Sequence, residues 1–206
     1  MAILPMFPLG TVLFPHMPLR LRVFEQRYLV MLSTLLQSEN AEFGVVLIER
    51  GQEVGGGEQR FGLGTVAEIT TLGTQDGFIG LLAEGRTRIR IDAWLEDDPH
   101  PRAEVSPVPD LVWDEQWRGL LATAERSVRR SLAVSSEFSE LTWPADIGIE
   151  GDPVAAAWQL AGVAPIGPLD QVGLLAATTT DELLVGLTEL CDGISADLSA
   201  PWPDEA

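Results

Sequence analysis

Residues 19–38 read LRLRVFEQRYLVMLSTLLQS, and the period of this stretch changes in its middle. From Leu19 to Val23 apolar and charged residues alternate, which is typical of a strand with one buried face. From Phe24 to about Ser38 the apolar residues recur at helical spacing, which predicts an amphipathic helix directly after the strand. A fold that joins a strand to a helix so closely mixes both kinds of element.

The rest of the N-terminal half continues the strand pattern. Further short segments that are apolar, β-branched or alternating lie at 43–48, 65–72, 78–82 and 87–91. Glycines between these segments predict turns, and the strongest hairpin signal among them is Asp76-Gly77. The predicted turns are Gly55–Gly57, Gly73, Asp76-Gly77 and Gly85.

After Pro109 the apolar period becomes helical. Four helices are predicted, and their start signals are Asp114, the Asp152-Pro153 pair, Pro168 and the capping box Thr179-x-x-Glu182. We therefore predict an α+β fold, with a small β-barrel or curled sheet that holds one inserted helix, followed by a C-terminal helical bundle. The predicted boundaries are 1–110 for the β-barrel lobe, 111–198 for the helical lobe and 199–206 for a flexible tail.

The charge of the chain argues against anionic partners. Its 206 residues include 31 acidic and 13 basic side chains, for a net charge of −18. Residues 1–109 carry 14 acids against 9 arginines, whereas residues 110–206 carry 17 acids against 4. Such a field repels phosphate backbones and anionic lipid, so we expect neither nucleic acid nor membrane as a partner.

Several reactive residue types are scarce or missing. All 13 basic residues are Arg, and the absence of Lys excludes a Walker A lysine, a Schiff base and a Ser–Lys dyad within this chain. With two histidines (His16, His100) and one cysteine (Cys191), we expect no metal site, no cofactor and no internal disulfide. We predict a non-catalytic, cytoplasmic protein, and a small hydrolase that uses His100, Cys191 or carboxylates remains the alternative.

The N-terminus gives no targeting signal. Residues 1–19 carry no charged side chain, and four prolines interrupt them: Pro5, Pro8, Pro15 and Pro18. No basic region precedes the apolar stretch, so we expect neither a signal peptide nor a membrane span, and we expect the mature chain to start near Met1.

One family resembles this sequence along nearly its whole length. The most specific matches are LPMFPL at 4–9, VLFP at 12–15, Pro18-Leu19 and Phe24-Glu25-x-Arg27-Tyr28. This series resembles the opening of the Lon protease N-terminal, substrate-binding domain. Residues 61–69 and 85–91 resemble two later strands of that domain, and residues 164–183 resemble its helical end more loosely. The sequence departs from the family at His16, where a glycine is usual, and at Glu182, where an arginine is usual.

The resemblance implies a PUA-like β-barrel followed by a helical bundle. It implies a stand-alone substrate-binding module, without ATPase or peptidase domains, in the manner of an adaptor or chaperone-like protein of protein quality control. The implied partner is unfolded or extended polypeptide, together with a separate protease or ATPase. Because PUA-like barrels in other families bind RNA, an RNA-binding module is a further alternative, which the net charge disfavours.

Two groups of residues are candidates for binding. Phe14, His16 and Met17 lie in an apolar, proline-broken loop, and we expect part of this loop to be exposed and to contact polypeptide; the alternative is that they cap the barrel. Arg86, Arg88 and Arg90 alternate along one strand and could contact an anion or carboxylate, or else form a solvated or ion-paired face.

The glycine motif Gly62-x-Gly64-x-x-Ala67 has the residue spacing of the dinucleotide-binding fingerprint. The fingerprint needs a helix immediately after the glycines, and residues 65–72 read instead as a strand. We therefore interpret it as a strand start or a bulge.

Overall fold

The structure is a computed structural model that describes residues 2–38, 40–50, 59–75 and 77–200. It has an α+β fold and separates into two compact units, Met1–Asp110 and Leu111–Ala206. The predicted turn at Gly55–Gly57 and residues 201–206 of the predicted tail lie outside the described residues.

The described residues of the first unit form six strands and one helix. They are β1 (Ala2–Leu9), β2 (Pro18–Val23), α1 (Gln26–Leu35), β3 (Glu42–Arg50), β4 (Gln59–Gln75), β5 (Phe78–Trp94) and β6 (Arg102–Pro107). The strands pair in the order β2-β5-β4-β3-β1-β6, and β5 also pairs with β6. Strands β5, β4, β3, β1 and β6 therefore form a closed cycle of pairings, to which β2 is added along the first half of β5.

The sequence patterns do not predict β1 and β6. Strand β1 changes partner along its length: Ala2–Pro5 pair antiparallel with β6, and the residues from Met6 to Leu9 pair parallel with β3. It contains Pro5 and Pro8, and prolines within a run normally argue against a strand because they cannot donate to a ladder. Pro5 is the last residue of the ladder with β6, and Pro8 lies beyond it, in the part of β1 that pairs with β3.

Two of the predicted glycine turns are wrong. Gly73 lies inside β4 and Gly85 lies inside β5, so segments 78–82 and 87–91 belong to one continuous strand. The hairpin expected beside Gly77 does join the two strands, since Gln75 pairs with Phe78 and Gly77 has a φ of 84°. The Asp76 half of that signal lies outside the described residues.

The interior of the first unit is apolar. One buried cluster consists of Met6, Val46, Val66, Ile89, Ala103 and Val105. Helix α1 adds four buried side chains, Tyr28, Met31, Leu32 and Leu35, at the spacing that the sequence predicts. Phe7 of β1 stacks on the Tyr28 ring with 3.9 Å between centroids, which fixes the helix against the sheet.

The second unit is helical. A 3₁₀ turn at Glu115–Trp117 leads into α2 (Arg118–Ser135), and α3 (Pro153–Val163), α4 (Pro168–Leu175) and α5 (Thr180–Ser199) follow. The predicted cap at Asp152 is present, since its Oδ1 accepts from the N–H groups of Val154 and Ala155 at 3.1 and 2.9 Å. Along the stretch of chain that the structure describes, every helix is too short or too polar to cross a bilayer.

Glu182 has a local role that accounts for a carboxylate at this position. Its Oε2 accepts from the Thr178 N–H at 2.7 Å and from the Thr178 hydroxyl at 2.9 Å. Thr179 Oγ1 in turn accepts from the Glu182 N–H at 3.4 Å. The two bonds from Thr178, first the one from its backbone, lower the pKa of the Glu182 carboxyl. A carboxylate in the first turn of α5 also suits the helix dipole, so the departure from the family at this residue serves the cap.

Candidate functional site

Phe14 and Met17 do not form the exposed surface that the sequence suggests. Phe14 is 1% exposed and Met17 is 7% exposed, while His16 between them is half-buried. The expectation of exposure is therefore wrong at Phe14 and Met17, and their burial is compatible with the alternative that they cap the barrel. These two side chains cannot contact a partner without leaving the core.

The loop around Phe14 is held down by bonds to the sheet. Thr65 Oγ1 donates to the carbonyl of Leu13 at 2.6 Å. The N–H of His16 donates to the Gly85 carbonyl at 2.8 Å, and the N–H of Gly85 donates to the Met17 carbonyl at 2.9 Å. Because the backbone groups of the loop are satisfied by β4 and β5, its apolar side chains can be buried despite its prolines.

The three alternating arginines of β5 have different surroundings. Arg88 is buried, and its Nη2 donates to the Pro109 carbonyl at 2.8 Å. The segment after β6 runs back over it, since the Val108 N–H donates to the Arg88 carbonyl. Burial lowers the pKa of Arg88, and the nearby Asp110 carboxylate opposes that effect.

Arg86 and Arg90 are exposed but bind acids of this chain. Arg86 bonds to Glu68 at 2.7 Å and to Glu84 at 2.9 Å, and the hydrogen bond with Glu68 is the main reason that its pKa is raised. Arg90 bonds to Asp92 at 3.2 Å. A single face of three exposed guanidinium groups does not exist here, because Arg88 is buried.

Strand β2 offers a different surface. Among the described residues, β2 forms strand pairs with β5 alone. Because the Gly85 N–H donates to the Met17 carbonyl, the alternation of an antiparallel ladder directs the backbone groups of Arg20 and Arg22 away from β5. We call this side of the strand the β2 edge. It can pair with an extended segment of another chain.

An apolar pocket lies beside the β2 edge. It has a volume of about 150 Å³. Phe7, Leu9 and Tyr28 line it together with the residues of β2 from Arg20 to Val23 and with Phe24 and Glu25. The floor is fixed, because the Tyr28 ring contacts both the stacked Phe7 ring and the Arg27 guanidinium, whose carbon lies 4.6 Å from the Tyr28 centroid. The pocket has room for one apolar side chain of an incoming strand.

Phe24 is the most accessible aromatic side chain at this site. It lines the pocket and is 58% exposed. The sequence pattern assigns it to the apolar face of the following helix, but α1 begins two residues later, at Gln26. The signal that could have identified it is the alternation that continues beyond β2: Arg20, Arg22 and Phe24 are all exposed.

The β2 edge is basic, although the protein as a whole is strongly acidic. Arg20 and Arg22 project from the exposed face of β2, and the Arg22 guanidinium carbon lies 5.3 Å above the Phe78 ring. Arg27 is held by Glu25 at 3.2 Å. Guanidinium groups bind carboxylates and carbonyl oxygens well, so the edge combines backbone donors, an apolar pocket and positive charge.

His100 and Cys191, the residues of the hydrolase alternative, are both buried. Within the described parts of the chain, no three His, Cys, Asp or Glu side chains are grouped so as to hold a metal ion. His100 is 9% exposed and its Nδ1 lies 3.1 Å from the Pro101 carbonyl. Cys191 is fully buried in α5, and burial, with a smaller effect of Asp192, raises its pKa to about 12.

We expect Cys191 to resist alkylation in the folded protein. Its thiol is buried and its raised pKa leaves almost no thiolate at neutral pH, and the thiolate is the reactive form. Incubation with iodoacetamide at pH 7.5 should leave the intact mass unchanged, whereas one alkyl group should add in denaturant. Rapid alkylation of the native protein would show that this thiol is accessible.

Comparisons with known proteins agree on one family. The sequence model of the "ATP-dependent protease La (LON) substrate-binding domain" matches residues 3–192. The chain is 27% identical over 188 residues to Lon protease 2 of Herpetosiphon aurantiacus, which is 88% of this chain and 22% of that protein. It is 26% identical over 145 residues to the Lon protease of Cytophaga hutchinsonii, which is 68% of this chain and 18% of that protein. The chain thus spans about a fifth of the length of these curated relatives.

Two solved structures share the fold. A Lon N-terminal domain protein from Xanthomonas campestris superposes with a TM-score of 0.65 at 25% identity, covering 92% of this chain and 98% of that one. The N-terminal domain of a Mycobacterium avium complex Lon protease gives the same TM-score at 18% identity, covering 93% of this chain and 98% of that one.

Proposed function

This chain belongs to the Lon substrate-binding domain family, and on that basis we propose that it is a polypeptide-binding module that captures extended segments at the β2 edge. The family match is the observation that supports the binding of polypeptide. The geometry of the first unit supports the choice of surface, because the β2 edge and its pocket offer accessible polar and apolar groups side by side.

The mode of binding that fits this surface is strand addition. A segment that pairs with β2 would accept hydrogen bonds from the outward N–H groups of Arg20 and Arg22 and donate to their carbonyls. Alternate side chains of the segment would face the pocket beside Phe24, whereas its carboxylates or carbonyl oxygens would meet the arginine side chains. Main-chain bonds give affinity with little sequence dependence, which suits a module that accepts varied unfolded clients.

The wider role is part of the same proposal. The closed cycle of pairings among five described strands supports a PUA-like β-barrel, and the described helices that follow support a helical bundle. We place the protein in the cytoplasm, as an adaptor or chaperone-like component of protein quality control. We propose that it couples capture to an ATPase or a protease, which is the kind of partner that the family match suggests.

The test compares two peptides on the β2 edge. The first is a fluorescent peptide of roughly 10 residues that alternates Val with uncharged polar residues, long enough for one strand. The second is the same peptide with alternate backbone nitrogens methylated, which removes the donors needed for edge pairing. We expect the plain peptide to bind the wild-type protein and the methylated peptide to bind at least about tenfold more weakly.

Phe24→Ser identifies the surface. We expect it to weaken binding of the plain peptide by about tenfold, as for an exposed aromatic anchor. The matched control is Leu169→Ser, since Leu169 is 71% exposed and lies in the second unit. Equal binding of the two peptides would contradict strand addition, and unchanged binding by the Phe24 variant would contradict this location.

A further inference from the structure

The second unit carries its own apolar groove, which the proposed function does not use. Two adjoining pockets of about 500 and 450 Å³ share Ile194 and Asp197 of α5. Phe138 and Leu141, from the segment after α2, form one wall of the first pocket. We call the two pockets together the α5 groove. Phe138 is 54% exposed, so the groove presents a large aromatic surface.

The groove follows the helical period of α5. Leu190, Ile194 and Leu198 lie at four-residue spacing and line its length. From Gly186 to Leu198 the groove extends over about 18 Å of helix, at 1.5 Å per residue. That length matches about three turns of a second helix. At Gly193 an added Cβ would meet open space, so a neighbouring backbone can come close to α5 at this point.

The charges at the groove have one sign. Its charged lining residues are Glu189 and Asp197, and no arginine lines either pocket. Glu137 and Glu140 flank Phe138 and Ser139 in the sequence and are exposed. The four arginines of residues 111–206 all lie on α2, where Arg118 and Arg129 bind Glu115 and Glu125. An apolar groove with an acidic border is complementary to a helix that is apolar on one face and cationic on its flanks.

We propose that the α5 groove is a docking site for a cationic amphipathic helix of a partner protein. The proposal goes beyond the capture of extended polypeptide, because it concerns a second surface in the other unit and a helical ligand. Apolar residues of the partner helix fill the space between Phe138 and Ile194. Its lysines or arginines lie along Glu189 and Asp197, which also disfavours acidic ligands such as a second copy of this chain.

The test uses two synthetic helices and the full chain. Both peptides have roughly 15 residues, with Leu at helical spacing on one face. One carries Lys on its flanks and the other carries Glu. We expect the Lys peptide to bind in fluorescence anisotropy, with an affinity that falls as salt is raised, and the Glu peptide to bind at least about tenfold more weakly.

Reversing the charge of the acidic residues in the groove should make the protein prefer the Glu peptide to the Lys peptide. In the double variant Glu189→Arg and Asp197→Arg, we expect the Lys peptide to lose about tenfold or more in affinity and the Glu peptide to gain. The control is the double variant Glu96→Arg and Asp146→Arg, which makes the same change in net charge at exposed residues that line neither pocket. An equal loss of Lys-peptide affinity in the control would mean that the net charge of the protein, and not the groove, controls binding. That result would overturn the proposal.

Filling the groove gives a readout that is independent of charge. Gly193→Leu places a side chain in open space, so we expect an unchanged thermal midpoint and a loss of Lys-peptide binding of about tenfold or more. Undiminished binding by this variant would place the helix elsewhere and reject the proposal. Phe24→Ser should leave Lys-peptide binding unchanged, so failure at the α5 groove and failure at the β2 edge can be told apart.

Discussion

Replacing Phe14 and Met17 together by Ser is expected to destabilise the protein by about 5 kcal/mol or more. Both side chains are buried, at 1% and 7% exposure. Each truncation removes apolar contacts and leaves a cavity, and each new hydroxyl must be buried in an apolar interior. A loss of this size approaches the whole stability of an ordinary domain. We expect the double variant to be largely unfolded in its first unit, or to accumulate poorly.

The measurement is urea unfolding followed by circular dichroism, with hydrogen exchange of the β2 and β5 amides to locate the effect. Phe24→Ser is the matched control, since it removes an exposed aromatic side chain from the same unit. We expect that variant to stay within a few degrees of the wild-type melting temperature, as is usual for surface substitutions. A double variant of normal stability that had lost peptide binding would instead support the loop around Phe14 as the contact surface.

The elements that the sequence predicts well have local signals. The alternation from Leu19 to Val23 and the helical spacing after it reappear as β2 and α1. The starts of α3 and α4 follow from a proline at the first helical position, as at Pro153 and Pro168. In each case the residues that determine the element lie within a few positions of one another, so no tertiary contact is needed to recognise it.

The elements that were missed depend on distant partners. Strand β1 pairs with both β6 and β3, and no sequence pattern within residues 2–9 indicates either partner. Arg88 is buried because the chain returns over it after β6 and supplies the Pro109 carbonyl. The sequence alone shows an arginine in an alternating strand, which normally means an exposed side chain. Contacts between residues that are far apart in the sequence therefore bury Arg88, although the local alternation predicts that it is exposed.

The candidate site follows the same division. The alternation of apolar and charged residues that forms β2 is visible in the sequence. Which strand lies at an edge is a property of the pairing order, in which β2 has β5 as its neighbour among the described strands. The sequence therefore pointed to the loop at Phe14 and Met17, a few residues before the surface that the structure leaves accessible.

Gly85→Ala is expected to cost about 3 kcal/mol, a large effect for one methyl group. A Cβ at this position would lie 2.1 Å from the Phe14 carbonyl oxygen and 3.2 Å from the Leu13 side chain. The near atom is backbone, so the clash cannot be relieved by rotating a side chain. The same glycine bonds His16 and Met17 through its own carbonyl and N–H, so a shift also breaks the contacts that hold the loop and the start of β2.

Gly80→Ala is the control from the same strand, and it separates steric exclusion from the general effect of replacing glycine. A Cβ at Gly80 would lie 3.6 Å from the Gly73 carbonyl oxygen, which is ordinary van der Waals contact. We expect the Gly80 variant to unfold within about 1 kcal/mol of wild type and the Gly85 variant to show faster amide exchange through residues 13–23. Equal urea midpoints of unfolding for the two variants would mean that the loop can move away from β5 at little cost. The burial of Phe14 would then not depend on a glycine at position 85.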